Sequence, residues 1–164
     1  MIVFIFNIVF TLIFTFFTVE VYPDIPESAF WTILIFLGWF FISWLFSFFY
    51  DKQYFIKIPR LISLIVYYLK ELFVASIKVA YDIITPKDYM NPAVIALPLD
   101  ASTDLEITLL ANLITLTPGT LSIDVSNDRK TLYIHEVYVK EQDLEAKKEE
   151  IKNGFEKRIL KITR

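Results

Sequence analysis

The sequence predicts an α-helical membrane hairpin followed by a small α+β domain. The domain order is β-α-β-β-α, a three-stranded sheet with helices on one face. Three observations lead there. Residues 1–50 contain no Lys or Arg and only three acids, Glu20, Asp24 and Glu27, which leaves 16 basic and 16 acidic residues for the rest of the chain. Two apolar runs in that first stretch match the roughly 20 helical residues that cross a hydrocarbon core. Beyond residue 92 the apolar pattern switches between a helical period and strict alternation.

Residues 1–19, MIVFIFNIVFTLIFTFFTV, form the first run. A cleaved signal peptide would want a basic start and small residues at its end; this run has no Lys or Arg and leads into Glu20-Val21-Tyr22-Pro23. Residues 29–50 form the second run, after a short linker with two prolines, and Ser28 is placed to cap it. So short a linker makes the helices antiparallel neighbours. Asn7, Thr11, Thr15 and Thr18 recur every three or four residues along one face of the first helix. Their hydroxyls can bond back to their own helix, or the stripe can pack against another helix with Asn7 bonding across. The linker carries Asp24 and Glu27, whereas Lys52, Lys57 and Arg60 follow the second run, so the positive-inside bias puts both chain ends in the cytoplasm.

Residues 60–84 read as a helix in which Arg60, Ser63, Tyr67, Lys70, Glu71, Lys78 and Asp82 share about a third of the circumference. Lys70 and Glu71 fall mid-helix, where a spanning helix suffers most. The expectation is a helix along the inner membrane surface, its apolar face on lipid or partner helices. The alternative is a third span, which would move the following domain outside. The chain thus divides into a hairpin (1–50), a basic linker with the amphipathic helix (51–85) and a cytoplasmic α/β domain (86–164).

TPKDYMNP (85–92) is a proline-flanked linker. AVIALPL (93–99) reads as a strand and 103–115 as a helix, with Ser102 or Thr103 as cap and Glu106 completing a capping box with Thr103. Thr117-Pro118-Gly119-Thr120 ends that helix. TLSIDVS (120–126) and TLYIHEVYV (131–139) alternate around the turn NDRK and form a hairpin. Residues 141–163 form an amphipathic helix with Leu144, Ile151, Phe155, Ile159 and Ile162 on one stripe.

The same residues exclude several chemistries. With no cysteine there is no disulfide, iron–sulfur or thiolate chemistry. A single histidine, His135, cannot build a zinc site of imidazoles. Residues 51–164 sum to zero charge, which gives nucleic acid no purchase. His135 and Glu136 are adjacent in a strand and point to opposite faces, so they are no acid–base pair. The Thr-Pro-Gly-Thr turn lies at a helix C-terminus, whose partial negative charge disfavours phosphate; helix termination explains it more simply. Neither apolar run offers a buried acid or base for an ion path.

The stretch LLANLITLTPGTLSIDVS (109–126), followed by TLYIHEV (131–137), resembles the E subunit of Mrp-type multi-subunit sodium/proton antiporters, also called Mnh or Sha systems. ANxITLTPGT is that family's most recognisable motif and the LYxH strand fits it; the N-terminal half matches in character. The resemblance implies an accessory subunit of a hetero-oligomeric complex in the bacterial plasma membrane. It implies other antiporter subunits and the lipid bilayer as partners, with no cofactor and no nucleic acid. The large subunits of that family carry the ion pathways. Asn112, Thr115, Thr117, Pro118, Gly119 and His135 carry over as a signature and as subunit-contact candidates, without catalytic roles. A membrane-anchored sensor of a small ligand is the competing function.

Overall fold

The computed structural model describes residues 2–23, 26, 28–85, 90–139 and 143–164. The chain packs into two units, residues 1–59 and 60–164. This grouping differs from the sequence division at residues 50 and 85, because Leu64, Tyr67 and Tyr68 of the amphipathic helix join the core of the α/β domain.

In the first unit, α1 (Ile2–Val21) and α2 (Ala29–Tyr50) pair antiparallel. The Tyr50 hydroxyl donates to Asn7 Oδ1 (2.8 Å) and Trp39 Nε1 donates to Thr18 Oγ1 (2.9 Å), so the start of one helix meets the end of the other. Asn7, Thr11 and Thr15 on α1 and Ser43 and Ser47 on α2 are buried, while most of the large apolar side chains point outward. Thr11 and Thr15 also donate to the carbonyls of Asn7 and Thr11 at 2.7 and 2.8 Å. This inside-out polarity suits lipid, where apolar faces gain nothing by meeting and small polar residues allow close approach. Ser28 stands at the N-cap of α2 with extended backbone, but its side chain makes no capping bond.

Asp51 alone separates α2 from α3 (Lys52–Ile84). Its carboxylate accepts the Tyr54 N–H at 3.0 Å, capping the new helix. The sequence reading started this helix at residue 60, after Pro59; the structure carries it through Pro59 from Lys52. Proline removes one backbone donor, and a side chain of α2 takes up the freed carbonyl, so the helix survives.

The second unit contains the remainder of α3, then β1 (Ala93–Pro98), α4 (Asp104–Thr115), β2 (Thr120–Val125), β3 (Thr131–Glu136), α5 (Leu144–Ile151), a π-helical turn over Lys152–Glu156, and α6 (Lys157–Thr163). The sheet is antiparallel in the order β1-β3-β2. Residues 140–142, where the sequence placed the start of the last helix, lie outside the described residues, as do residues 86–89 of the proline-flanked linker. Alternation puts Ile95, Leu97, Leu132 and Ile134 on one buried sheet face, where Leu97, Leu132 and Ile134 pack with Leu110, Ile114, Ile151, Phe155 and Ile159 of the helices. Leu64, Tyr67 and Tyr68 of α3 join this core. The polar stripe of α3 thus faces the domain, and Leu61, Ile62, Ile65, Val66, Leu69 and Phe73 are left exposed on the opposite side.

Two local devices shape this unit. The capping box of α4 is formed as its sequence predicts, Thr103 accepting the Glu106 N–H and Glu106 accepting the Thr103 N–H. The π turn admits Tyr67 against Gly154: a Cβ there would collide with the Tyr67 hydroxyl.

Candidate functional site

The turn Thr117–Thr120 closes α4 and lines a cavity of about 240 Å³. Pro118 and Gly119 occupy the central positions of the turn. Gly119 has φ +90°, which fits a type II turn, and a Cβ there would press on the Tyr138 ring at 3.1 Å. The threonines serve the helix end. Thr117 Oγ1 donates to the Ile114 carbonyl at 2.7 Å, and Thr120 Oγ1 meets both that carbonyl and the Thr117 carbonyl. The Ile114 carbonyl also accepts the Thr117 N–H at 3.0 Å and the Thr117 carbonyl the Thr120 N–H at 3.3 Å, so backbone and hydroxyl groups together close the helix end. Thr115 Oγ1 accepts the Ser122 N–H at 3.1 Å, tying α4 to β2. Asn112 points to the exposed side of α4, away from the cavity.

The opposite walls come from α3 (Tyr67, Glu71, Lys78), Glu136 at the end of β3, Tyr138 just beyond it, and α5 (Lys147, Glu150). The floor is apolar, with Ile114, Ile151 and Phe155. Glu136 is 4% exposed, and its Oε2 has no hydrogen-bond partner. Lys147 Nζ stands 3.8 Å away and 3.1 Å from Glu150. Burial pushes the Glu136 carboxyl above its ordinary value, against the pull of Lys147 and Lys78. The Tyr67 hydroxyl is pushed up to about 12, first by burial and then by Glu71. Tyr138 is also raised to about 12, chiefly by the Asp82 carboxylate beside it, and Lys78 Nζ lies 4.0 Å from its ring centre.

Sequence reasoning weighed Glu136 only as a partner for His135 and placed it in no site. Its signal was there: in the alternation of β3 it falls on the inward side with Leu132 and Ile134. His135 points the other way. It is half-buried on the outer face of the sheet, flanked by Val94 of β1 and Leu121 of β2. Signature residues therefore separate: Thr117 and Pro118 belong to the cavity wall, Gly119 to the turn beside it, His135 to the outer sheet face, and Asn112 to the α4 surface. Among the described residues no group of three or more His, Asp or Glu comes together to hold a metal ion.

A family model described as "Na+/H+ ion antiporter subunit" matches residues 7–162. The chain belongs to that family. The E subunit of the Na(+)/H(+) antiporter of Bacillus subtilis is 38% identical over 117 residues, covering 71% of this chain and 73% of the relative. The corresponding E subunit of Alkalihalophilus pseudofirmus is 41% identical over 108 residues, covering 66% and 67%. Among solved structures, a chain of the membrane-bound sulfane sulfur reductase, an archaeal respiratory membrane complex, is 25% identical and aligns with 93% of this chain and 96% of its own, at a TM-score of 0.54. A member of an antiporter subunit family is a transporter component rather than an enzyme, and the two helices Val3–Val21 and Ala29–Tyr50 are long and apolar enough to give it a membrane hairpin.

Proposed function

We propose that this protein has an accessory role in its complex, supporting assembly and coupled transport without an ion pathway of its own. In this reading the hairpin sits in the bacterial plasma membrane with the α/β domain on the cytoplasmic side, as the basic residues after Tyr50 favour. The apolar side of α3 rests on the inner membrane surface. Apart from Glu20 at the end of α1, neither spanning helix carries an ionisable acid or base, so neither supplies the relay that proton and cation paths need.

The observation that carries the assembly role is the outer face of the sheet. Val94, Leu121, Ile123 and Tyr133 surround His135 there and are 59, 49, 54 and 38% exposed. An uncovered apolar face of this kind marks a protein contact, and the other antiporter subunits are its natural occupants. Replacing Val94 and Leu121 together by Glu in the co-expressed complex tests it. The expected result is loss of this chain from the purified complex and reduced antiport, with hydrogen exchange of β1–β3 unchanged. An intact, fully active complex refutes the assembly role.

A second reading, a small-ligand sensor, draws on the cavity against the Thr-Pro-Gly-Thr turn. It requires a ligand that raises the melting temperature of the second unit.

A further inference from the structure

A second cavity of the α/β unit, about 650 Å³, lies between the first turn of this unit's share of α3, the segment after β1 and the last turns of the chain. Five of its lining residues are basic and three acidic. Asp100 Oδ2 meets Lys152 Nζ at 3.0 Å, and Glu156 Oε1 accepts the Asp100 and Ala101 N–H groups at 2.7 and 2.8 Å, while the buried Glu156 Oε2 has no hydrogen-bond partner. The third, Glu149, is exposed at the rim. Arg164 is likewise occupied, by the Asp100 carbonyl, Ser102 and Glu106.

That leaves Arg60, Lys157 and Lys161. Arg60 Nη1 donates to the Lys161 carbonyl at 2.5 Å, which fixes the guanidinium in the cleft without neutralising it. Lys157 and Lys161 have no ion pair among the described residues. Residues 157–164 hold four basic side chains and no acid, in a chain whose net charge is −3. Unpaired cations set in a concavity focus positive potential and draw an anion.

Chain continuity says which anion. Arg60 follows the end of the second apolar helix by ten residues, on a helix whose outward side, beginning at Leu61 and Ile62, is exposed and apolar. Guanidinium and ammonium groups at the edge of an apolar helix face match the phosphate layer of a bilayer. We propose that this cleft binds the phosphate of an anionic phospholipid headgroup, held by Arg60, Lys157 and Lys161. The proposal rests on the membrane placement of the hairpin and not on the assembly role.

Native mass spectrometry of the full chain in mild detergent, supplied with phosphatidylglycerol or phosphatidylcholine, tests it. Each basic residue near a membrane surface adds roughly fivefold in affinity, so phosphatidylglycerol is expected to be retained at least about tenfold better. The triple variant R60Q/K157Q/K161Q should bring the ratio to about one, and R60K/K157R/K161R should keep the preference, which separates charge from folding. Equal retention of the two lipids, or a preference that survives R60Q/K157Q/K161Q, overturns the proposal. Displacement of phosphatidylglycerol by an equal concentration of inorganic phosphate marks a free-phosphate site and also overturns it. So does a triple variant that keeps its lipid but loses co-purifying antiporter subunits, since the cations then serve a protein surface.

Discussion

Trp44 donates its indole N–H to the Phe55 carbonyl at 3.2 Å, and the two rings stack 4.7 Å apart with planes only 11° from parallel. Phe55 lies four residues before Pro59, so its carbonyl is the one that the proline leaves without a helical donor. The α2 side chain replaces the missing bond, and α3 passes through Pro59 unbroken.

Trp44→Phe keeps most of the stacking and removes the donor. It should destabilise the first unit by about 1 kcal/mol, the usual net value of one hydrogen bond. In a Pro59→Ala background the backbone regains an N–H at that position, which returns to the Phe55 carbonyl, and the same change should cost less than half as much. Thermal unfolding in detergent, followed through the remaining fluorescence of Trp31 and Trp39, measures both. Equal costs in the two backgrounds would show that the bond is not what matters.

Glu106 accepts from Thr163 Oγ1 at 2.7 Å and from the Ser102 and Thr103 N–H groups, which hold its carboxyl down to about 2, the Thr163 hydroxyl contributing most. A carboxyl lowered on folding adds stability above its unfolded value, here 4.5, and loses it as pH falls toward 2. The protection of the 104–115 segment against hydrogen exchange, corrected for the pH dependence of the intrinsic amide rate, should therefore fall across that window in the native chain. In Glu106→Gln the acid dependence should flatten, and exchange should already be faster at neutral pH.

Glu136 has the opposite sign. Its carboxyl is raised by burial, so the native state binds its proton more tightly than the unfolded chain does. Its contribution is fully present below the ordinary carboxyl value and is lost as pH rises through the raised folded value. Glu136→Gln removes the charge, and should leave the second unit at least as stable at neutral pH with a weaker decline from acid to neutral. A large loss of stability in Glu136→Gln at neutral pH would mean that the carboxylate is needed, through Lys147, more than its burial costs.

Gly154 and Tyr67 form a steric pair at the π turn. Gly154→Ala should cost about 1–3 kcal/mol, the usual penalty of overpacking. Because the nearest atom is the Tyr67 hydroxyl, Tyr67→Phe should recover part of that loss. Hydrogen exchange of residues 60–84 reads the outcome, and absence of any recovery would place the strain elsewhere.

The composition boundary, the apolar runs, the strand alternation and the Thr103–Glu106 box were all readable in the chain, because each is a local relation between near neighbours. The signature Thr-Pro-Gly-Thr was readable as a helix stop for the same reason: proline and glycine impose their geometry wherever they stand. Glu136 was less visible, since its inward direction follows from alternation, but its missing partner depends on what α3 and α5 bring to the cavity. The start of α3 was misplaced because Pro59 argues against a helix locally, and the compensating donor lies on another helix.

By itself, then, the sequence determined which segments prefer lipid, which prefer water, and the order of helices and strands, since these depend on side-chain hydration and backbone preference within a few residues. Tertiary structure decided that α3 joins the core of the α/β domain through Leu64, Tyr67 and Tyr68, and which neighbours meet His135 on one face of the sheet and Glu136 on the other. Burial and pairing join residues far apart in the chain, so no local pattern specifies them.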